Sequence, residues 1–275
     1  MAASVATAPV VAKAKVEADR IESLPLGERW FPDAFHLIPG PGGFALRLVD
    51  MTSAQETLRI LRGAGVRATV THLIVRAAAL ALARNPELHQ IVCNYRRLTP
   101  ASVDIGLSMA GQTTYAPVVV LPEADKQRLA ELVPRTNAAI AAAREREIRD
   151  LEDIRKKGWW VPFGFLRRFL LRMFQKTFWF RRKLAGTFQV SCLPNVDVIS
   201  SFLFYTGSIL GAGQVSDRVV AVDGQAVVRP TVWLTICVDH ASMDGRRAGD
   251  LLNIIQRILE GPELLAEARA ATMAE

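Results

Sequence analysis

The sequence has only three cysteines among its 275 residues, and this low, odd number argues against a fold held together by disulfide bonds. Cys93, Cys192 and Cys237 lie in apolar stretches and lack the spacing of metal ligands. We therefore expect buried thiols, no bound metal, and a reducing, cytoplasmic location.

Long uncharged apolar runs are also missing. No stretch of about 18 such residues is present, which argues against a transmembrane helix. Residues 1–18 are rich in Ala and Val but lack the compact apolar block and cleavage site of a secretory signal, so a disordered leader is expected. The phosphate-loop pattern GxxxxGK[ST] is absent, and Gly211-Ala212-Gly213 is too short for a dinucleotide-binding fingerprint.

Acidic residues are absent from residues 155–184, the basic aromatic segment, which holds ten Lys or Arg residues and nine aromatic residues. Because the net charge of the whole chain is +7, the remaining residues together are slightly acidic. The chain is therefore a mildly acidic domain that carries one basic segment, and this differs from a generally basic nucleic-acid-binding protein.

The basic aromatic segment has several interpretations. Helical spacing places Phe165, Phe169 and Phe178 among apolar neighbours. It also puts Arg168, Arg172 and Lys176 in a stripe at i, i+4 spacing. Such a helix suits the inner face of a membrane, where aromatic side chains insert and cations meet anionic headgroups. It equally suits an acyl carrier protein, a partner subunit, or a packing insertion whose long cations cover apolar surface. No nucleic-acid partner is expected.

Apolar periodicity alternates between strands and helices along most of the chain. It predicts strands over 44–50, 103–107, 187–192 and 231–239, and helices over 72–84, 126–157 and 246–260. Asp223-Gly224 predicts a two-residue hairpin turn. Ser53 and Glu56 form a capping-box pattern, and Thr71 is expected to cap the next helix. The interleaving predicts a single α/β domain over residues 19–275, with the basic aromatic segment as an insertion.

The predicted strand over 231–239 runs directly into His240, and Asp244-Gly245 then leads into an amphipathic helix. Loops at the ends of rigid elements commonly carry functional side chains. Histidine is well suited to act as a general base near neutral pH. In an acyl transfer, such a base removes the proton of a thiol, hydroxyl or amine as it attacks a thioester. A core histidine with satisfied hydrogen bonds is the alternative.

Several short motifs form an ordered series along the chain. They are Thr69–Leu88, Val103–Gly106, Gly186–Ser191, Ile209–Gly213, Val222–Gly224 with Val228–Pro230, and Asp239–Gly245. In order and spacing, this series resembles the catalytic domain of the acyltransferase component of 2-oxo acid dehydrogenase complexes, the dihydrolipoamide acyltransferases. Chloramphenicol acetyltransferase has the same fold. The resemblance extends over roughly residues 44–265.

The resemblance implies a chloramphenicol-acetyltransferase-like α/β fold, a two-layer sandwich with a mixed sheet and helices packed on one face. It implies coenzyme A as the acyl thioester substrate and direct transfer without a covalent enzyme intermediate. His240 matches the catalytic base, Ser191 the hydrogen-bond donor to the oxyanion, and Asp244 a carboxylate that braces the catalytic loop. It also implies a homotrimer in which His240 of one chain faces Ser191 of the next. A strand serine and a helix N-cap are the simpler alternatives for Ser191 and Asp244.

The chain also departs from the family's pattern. Its leader is too short for a lipoyl or subunit-binding domain, so a stand-alone acyltransferase is expected. The basic aromatic segment stands where the family has a short helix and loop. The alternative is a non-catalytic scaffold or partner-binding subunit that acts through residues 155–184. The joint presence of His240, Ser191 and Asp244 disfavours that alternative, since a scaffold has no need of all three.

Overall fold

The computed structural model describes residues 18–24, 42–111, 117–157, 164–201, 203 and 205–273. The expected leader, residues 1–18, lies outside these ranges except for Ala18. The strands are β1 Arg20–Ser23, β2 Gly43–Asp50, β3 Ile91–Cys93, β4 Arg96–Thr99, β5 Ile105–Ser108, β6 Val118–Leu121, β7 Phe188–Cys192, β8 Ser208–Ala212, β9 Ser216–Val222 and β10 Gln225–Val238.

A seven-stranded mixed sheet forms the centre of the fold. Its strand order is β2-β10-β8-β7-β5-β6, and β9 pairs with β10. β7 runs parallel to both β5 and β8, whereas the other pairs are antiparallel. The predicted mixed sheet is therefore confirmed. A second, three-stranded sheet in the order β1-β4-β3 was not predicted from the sequence.

Helices pack against the main sheet and against one another. They are α1 Thr52–Gly63, α2 Val70–Arg84, α3 Leu129–Lys157, α4 Gly164–Phe174, α5 Phe178–Ala185, α6 Gly245–Glu260 and α7 Glu263–Met273. α6 packs on β2 and β10, and α2 packs on α6. Every residue of α2 from His72 to Leu82 is buried, as expected for a helix that is apolar nearly all round. No helix within the described ranges is both long and apolar enough to cross a bilayer.

Two of the predicted helix caps are wrong. Thr69, and not Thr71, precedes α2, and its backbone amide donates to His72 Nδ1 at 3.0 Å in a reciprocal cap. α1 starts at Thr52, whose backbone amide donates to the Asp50 carboxylate at 2.8 Å. Ser53 Oγ instead donates to the carbonyl oxygen of Gly261 at 2.8 Å. A tertiary contact thus takes up the Ser53 hydroxyl that the sequence pattern assigned to a local cap.

The 14-residue strand β10 joins the two halves of the main sheet. Its first half pairs with β9 in a hairpin, and Asp223 and Gly224 at the turn have φ values of 49° and 77°. Both lie in the left-handed region that a two-residue turn of this hand requires, which confirms the predicted hairpin. The second half of β10 lies between β2 and β8 and ends at Val238, two residues before His240.

The connection from β6 to β7 contains α3, α4 and α5, and the basic aromatic segment forms its second part. α4 ends at Phe174 and α5 begins at Phe178, so the predicted stripe through Arg172 and Lys176 does not continue along one helix. Arg182 of α5 donates through Nε to the buried Asp104 carboxylate at 2.6 Å. This ion pair ties α5 to the start of β5.

Candidate active site

His240 stands in a tight turn that follows the end of β10. The carbonyl oxygen of Asp239 accepts hydrogen bonds from the backbone amides of Ser242 and Met243 at 2.8 and 2.9 Å. The Asp239 carboxylate accepts a third, from the amide of Ala241, at 3.0 Å. Because these bonds close the turn around His240, the half-buried imidazole projects from a fixed backbone.

Contacts from distant segments hold this turn in place. Ser242 is only 5% exposed, and its Oγ accepts a hydrogen bond from the backbone amide of Val92 at 2.9 Å. The amide of Asp239 donates to the carbonyl oxygen of Gly207 at 2.9 Å. The segments around β3 and before β8 therefore brace the turn from two sides. Asp239 and Ser242 are positioning residues that the sequence motif did not single out.

Two glycines leave space for the His240 turn at the start of β2. A Cβ atom built on Gly42 lies 2.6 Å from the backbone nitrogen of His240, a contact that real side chains do not make. A Cβ atom built on Gly43 lies 3.6 Å from His240 Nε2. The backbone of β2 thus runs beside the imidazole, and Gly42 is required there by the close approach. The sequence signal that could have indicated this contact is the run of proline and glycine at residues 39–43.

Asp244 caps the N-terminus of α6. Its side chain accepts a hydrogen bond from the backbone amide of Arg247 at 2.8 Å, and the residue is exposed. Within the described residues it has no ion-pair partner. The N-cap geometry accounts for an aspartate here, since capping stabilises a helix by about 1 kcal/mol. The bracing role stays a prediction.

Ser191 lies on β7, far from His240 of the same chain. It is level with Gly211 of β8, which is in turn level with Thr235 of β10. Ser191 is therefore two strand spacings, of about 4.8 Å each, from Thr235 across the sheet. Val238 lies three residues, of about 3.3 Å each, further along β10, so Ser191 is roughly 14 Å from Val238. His240 lies beyond Val238. A hydrogen-bonded site spans about 3 Å, so the Ser191 and His240 side chains of one chain do not meet in one site.

Other titratable groups in the described ranges are poor candidates for this chemistry. Burial lowers the pKa of His89 to about 4, so its imidazole is neutral near pH 7. Burial raises the pKa of Cys192 to about 12, so the thiol beside Ser191 is neutral as well. His72 is occupied in the α2 cap. Within the described residues, no group of three His, Cys, Asp or Glu side chains is arranged to hold a metal ion.

The sequence matches the family of 2-oxoacid dehydrogenases acyltransferase (catalytic domain) over residues 45–156 and 203–267, which is more than half of the chain. The chain belongs to this family. His240 and Asp244 lie inside the matched residues. Ser191 and nearly all of the basic aromatic segment lie between the two matched stretches.

Named relatives include acyltransferase subunits of large complexes. The chain is 35% identical over 86 residues to the dihydrolipoyllysine-residue succinyltransferase component of the 2-oxoglutarate dehydrogenase complex of Rickettsia bellii. The aligned stretch covers 29% of this chain and 21% of that relative. This chain therefore spans only about a fifth of the relative's length.

Solved structures of this family share the fold. The truncated catalytic core of the 2-oxoacid dehydrogenase multienzyme complex from Thermoplasma acidophilum aligns with a TM-score of 0.61 at 17% identity, over 88% of this chain and 97% of that chain. Chloramphenicol acetyltransferase aligns with a TM-score of 0.51 at 12% identity, over 88% and 98%. At these identities the similarity establishes the fold alone, and it confirms the expected chloramphenicol-acetyltransferase-like architecture.

Proposed function

We propose that this chain is a stand-alone acyltransferase that moves an acyl group from coenzyme A, or another thioester carrier, to a thiol, hydroxyl or amine. The observation that carries the proposal is the braced turn after β10. This turn holds His240 directly against the backbone of Gly42 and Gly43. A half-buried imidazole on a loop that a rigid strand positions is suited to act as a general base near neutral pH.

The imidazole of His240 would take the proton of the acceptor as the acceptor attacks the thioester carbonyl. The carbonyl oxygen then carries the negative charge of a tetrahedral intermediate, and Ser191 Oγ would donate a hydrogen bond to it. One such donor contributes about 2.7–4 kcal/mol to the transition state. Collapse of the intermediate breaks the carbon–sulfur bond, and the imidazolium returns its proton to the departing thiolate. Atoms and charge balance without a metal or a covalent enzyme intermediate.

The proposed site contains groups from two subunits of a homotrimer. His240 and Ser191 of one chain are too far apart to act together, so the serine must come from a neighbouring copy if it acts with His240. Phe44 and Leu46 support a subunit contact near His240, because both are 47% exposed and share one face of β2. The β9–β10 hairpin also carries exposed apolar side chains that a subunit contact would bury. They are Val219 and Val228, which lie directly opposite each other and are 70% and 62% exposed.

A second candidate function is that of a non-catalytic scaffold. The exposed aromatic side chains of α4 and α5 favour it, because a surface of this kind suits partner binding. The two functions differ in one respect that is open to measurement: only the acyltransferase depends on the imidazole of His240.

The test is thioester consumption by the purified full-length chain. Several acyl-CoAs are offered with dihydrolipoamide, simple alcohols and amines, and free thiol release is followed for the wild type, His240→Ala and His240→Asn. We expect both variants to lose about 10²- to 10⁴-fold in turnover, the usual contribution of a general base. Arg128→Gln, on the exposed surface before α3, is the control and keeps full turnover. Unchanged turnover in both His240 variants, with unchanged melting temperatures, would refute the mechanism.

A further inference from the structure

An exposed apolar stripe runs along α4. Phe165, Phe169 and Met173 are spaced four residues apart, so they lie on one face of the helix. They are 67%, 61% and 47% exposed. Trp179, at the start of α5, is 67% exposed as well. Large apolar side chains are rarely this exposed together unless they contact a partner or a membrane.

Exposed cations occur on the same two helices and in the turn between them. Arg172, Lys176 and Lys183 are all exposed, and Lys183 Nζ lies 5.2 Å from the centre of the Trp179 ring. No acidic residue occurs anywhere in residues 155–184. We call the exposed surface of α4 and α5 the basic platform.

The opposite side of the basic platform is fastened to the fold. Arg182 bonds to Asp104, and the Phe180 ring packs edge-on against Tyr205 with centroids 5.9 Å apart. Cys93 Sγ lies 3.4 Å from the carbonyl oxygen of Gln175, in the turn between α4 and α5. The exposed aromatic side chains are therefore carried on a fixed support.

These fastenings also connect the basic platform to the His240 turn. Cys93, which contacts the α4–α5 turn, directly follows Val92, whose amide bonds to Ser242. Tyr205, which contacts α5, lies two residues before Gly207, whose carbonyl oxygen accepts from Asp239. The platform and the candidate active site therefore share the same two supporting segments.

We propose that the basic platform binds the surface of an anionic lipid bilayer and holds the His240 site close to that surface. The apolar stripe would enter the acyl boundary while the cations meet lipid phosphates. α4 is about 16 Å long, which suits a helix lying in the interface plane. A segment with aromatic side chains and cations but no carboxylates has the composition of helices that lie on membranes, where the cations meet anionic headgroups. The proposal does not depend on the acyltransferase activity.

The test is co-sedimentation of the full-length chain with vesicles. Phosphatidylglycerol mixed with phosphatidylcholine is compared with phosphatidylcholine alone. We expect binding to the anionic vesicles only, with affinity that falls as salt is added. The triple variant R172Q/K176Q/K183Q should bind about 100-fold more weakly, because each cation near the surface contributes about fivefold. The matched control R128Q/R135Q/R144Q removes three exposed cations near or on α3 and should bind like the wild type.

A second variant, F169S/W179S, addresses the apolar contribution and should weaken binding by about tenfold or more. Equal binding of the platform variants and the wild type would overturn the proposal, as would no binding to anionic vesicles. A change of oligomeric state in the platform variants without vesicle binding would assign the surface to a second copy, and capture of an acidic carrier protein would assign it to that carrier. Turnover on soluble acceptors is measured in the same samples, so failure of either proposal is recognised separately.

Discussion

Active-site complementation between subunits follows from the strand register and offers the sharpest test of the site. Ser191→Ala removes the proposed oxyanion donor, and His240→Ala removes the proposed base. Each is expected to reduce turnover by at least about 10²-fold on its own. Because Ser191 lies roughly 14 Å from the end of β10, the Ser191 and His240 of one chain would belong to two different sites. In a mixed ring, one interface between the two variants then carries both lesions and another carries neither.

The expected recovery can be counted for a trimer with one site at each interface. Any ring that contains both variants has one interface where an intact Ser191 faces an intact His240. Mixed trimers should therefore recover about one third of the wild-type turnover, since one of three equivalent sites is complete. Each homogeneous variant has no complete site and stays at its residual level.

The assay uses co-expression of the two variants with different affinity tags and purification through both tags in succession. Thiol release from an acyl-CoA is then compared with that of wild type purified in the same way. As the control, each variant is co-expressed with itself under the two tags and purified in the same way. Mixed trimers as inactive as the two parents would refute the shared site, and would show either that Ser191 has no role with His240 or that the subunits do not pair in this way.

Two further predictions concern buried polar groups. Ser242→Ala removes the acceptor for the Val92 amide, and we expect kcat to fall about 10- to 100-fold with little change in KM, because the His240 turn loses its position; equal kcat values in wild type and variant would contradict the bracing role. Burial lowers the pKa of His89 to about 4 in the fold, against 6.5 in the unfolded chain. Its contribution to the free energy of unfolding is therefore complete above pH 6.5 and is lost as the pH falls toward 4. That loss is roughly 3 kcal/mol, and chemical denaturation at pH 7 and pH 4.5 should show a smaller decrease for His89→Asn than for wild type.

Features with a strong local signal were predictable from the sequence. The prediction of a turn at Asp223-Gly224 was correct because these two residues favour the left-handed conformations that the hairpin needs. The strand that leads into His240 was correct because a long β-branched run in a buried position has few alternatives. The resemblance to the family added the mixed sheet and the two-layer arrangement, which local patterns do not encode.

The features that the sequence did not reveal depend on distant partners. β1 and β4 pair residues 20 and 99, and both strands are four residues long, too short for a periodic signal. The brace at Ser242 depends on Val92, which is 150 positions away. The cap on α2 lies at Thr69 and not at the predicted Thr71, because the His72 side chain completes it. No standard capping pattern includes histidine.

The basic aromatic segment lies in the connection from β6 to β7, and this position bears on how proteins of this fold diversify. The connection from β6 to β7 starts and ends at strands whose registers are fixed by their neighbours. Lengthening a closed connection adds little entropic cost, since the penalty grows only with the logarithm of its length. The length of this connection can therefore change without a shift in the register of the main sheet. An engineer who wished to redirect this domain to another surface or cargo would graft new helices at this connection and leave the His240 turn unchanged.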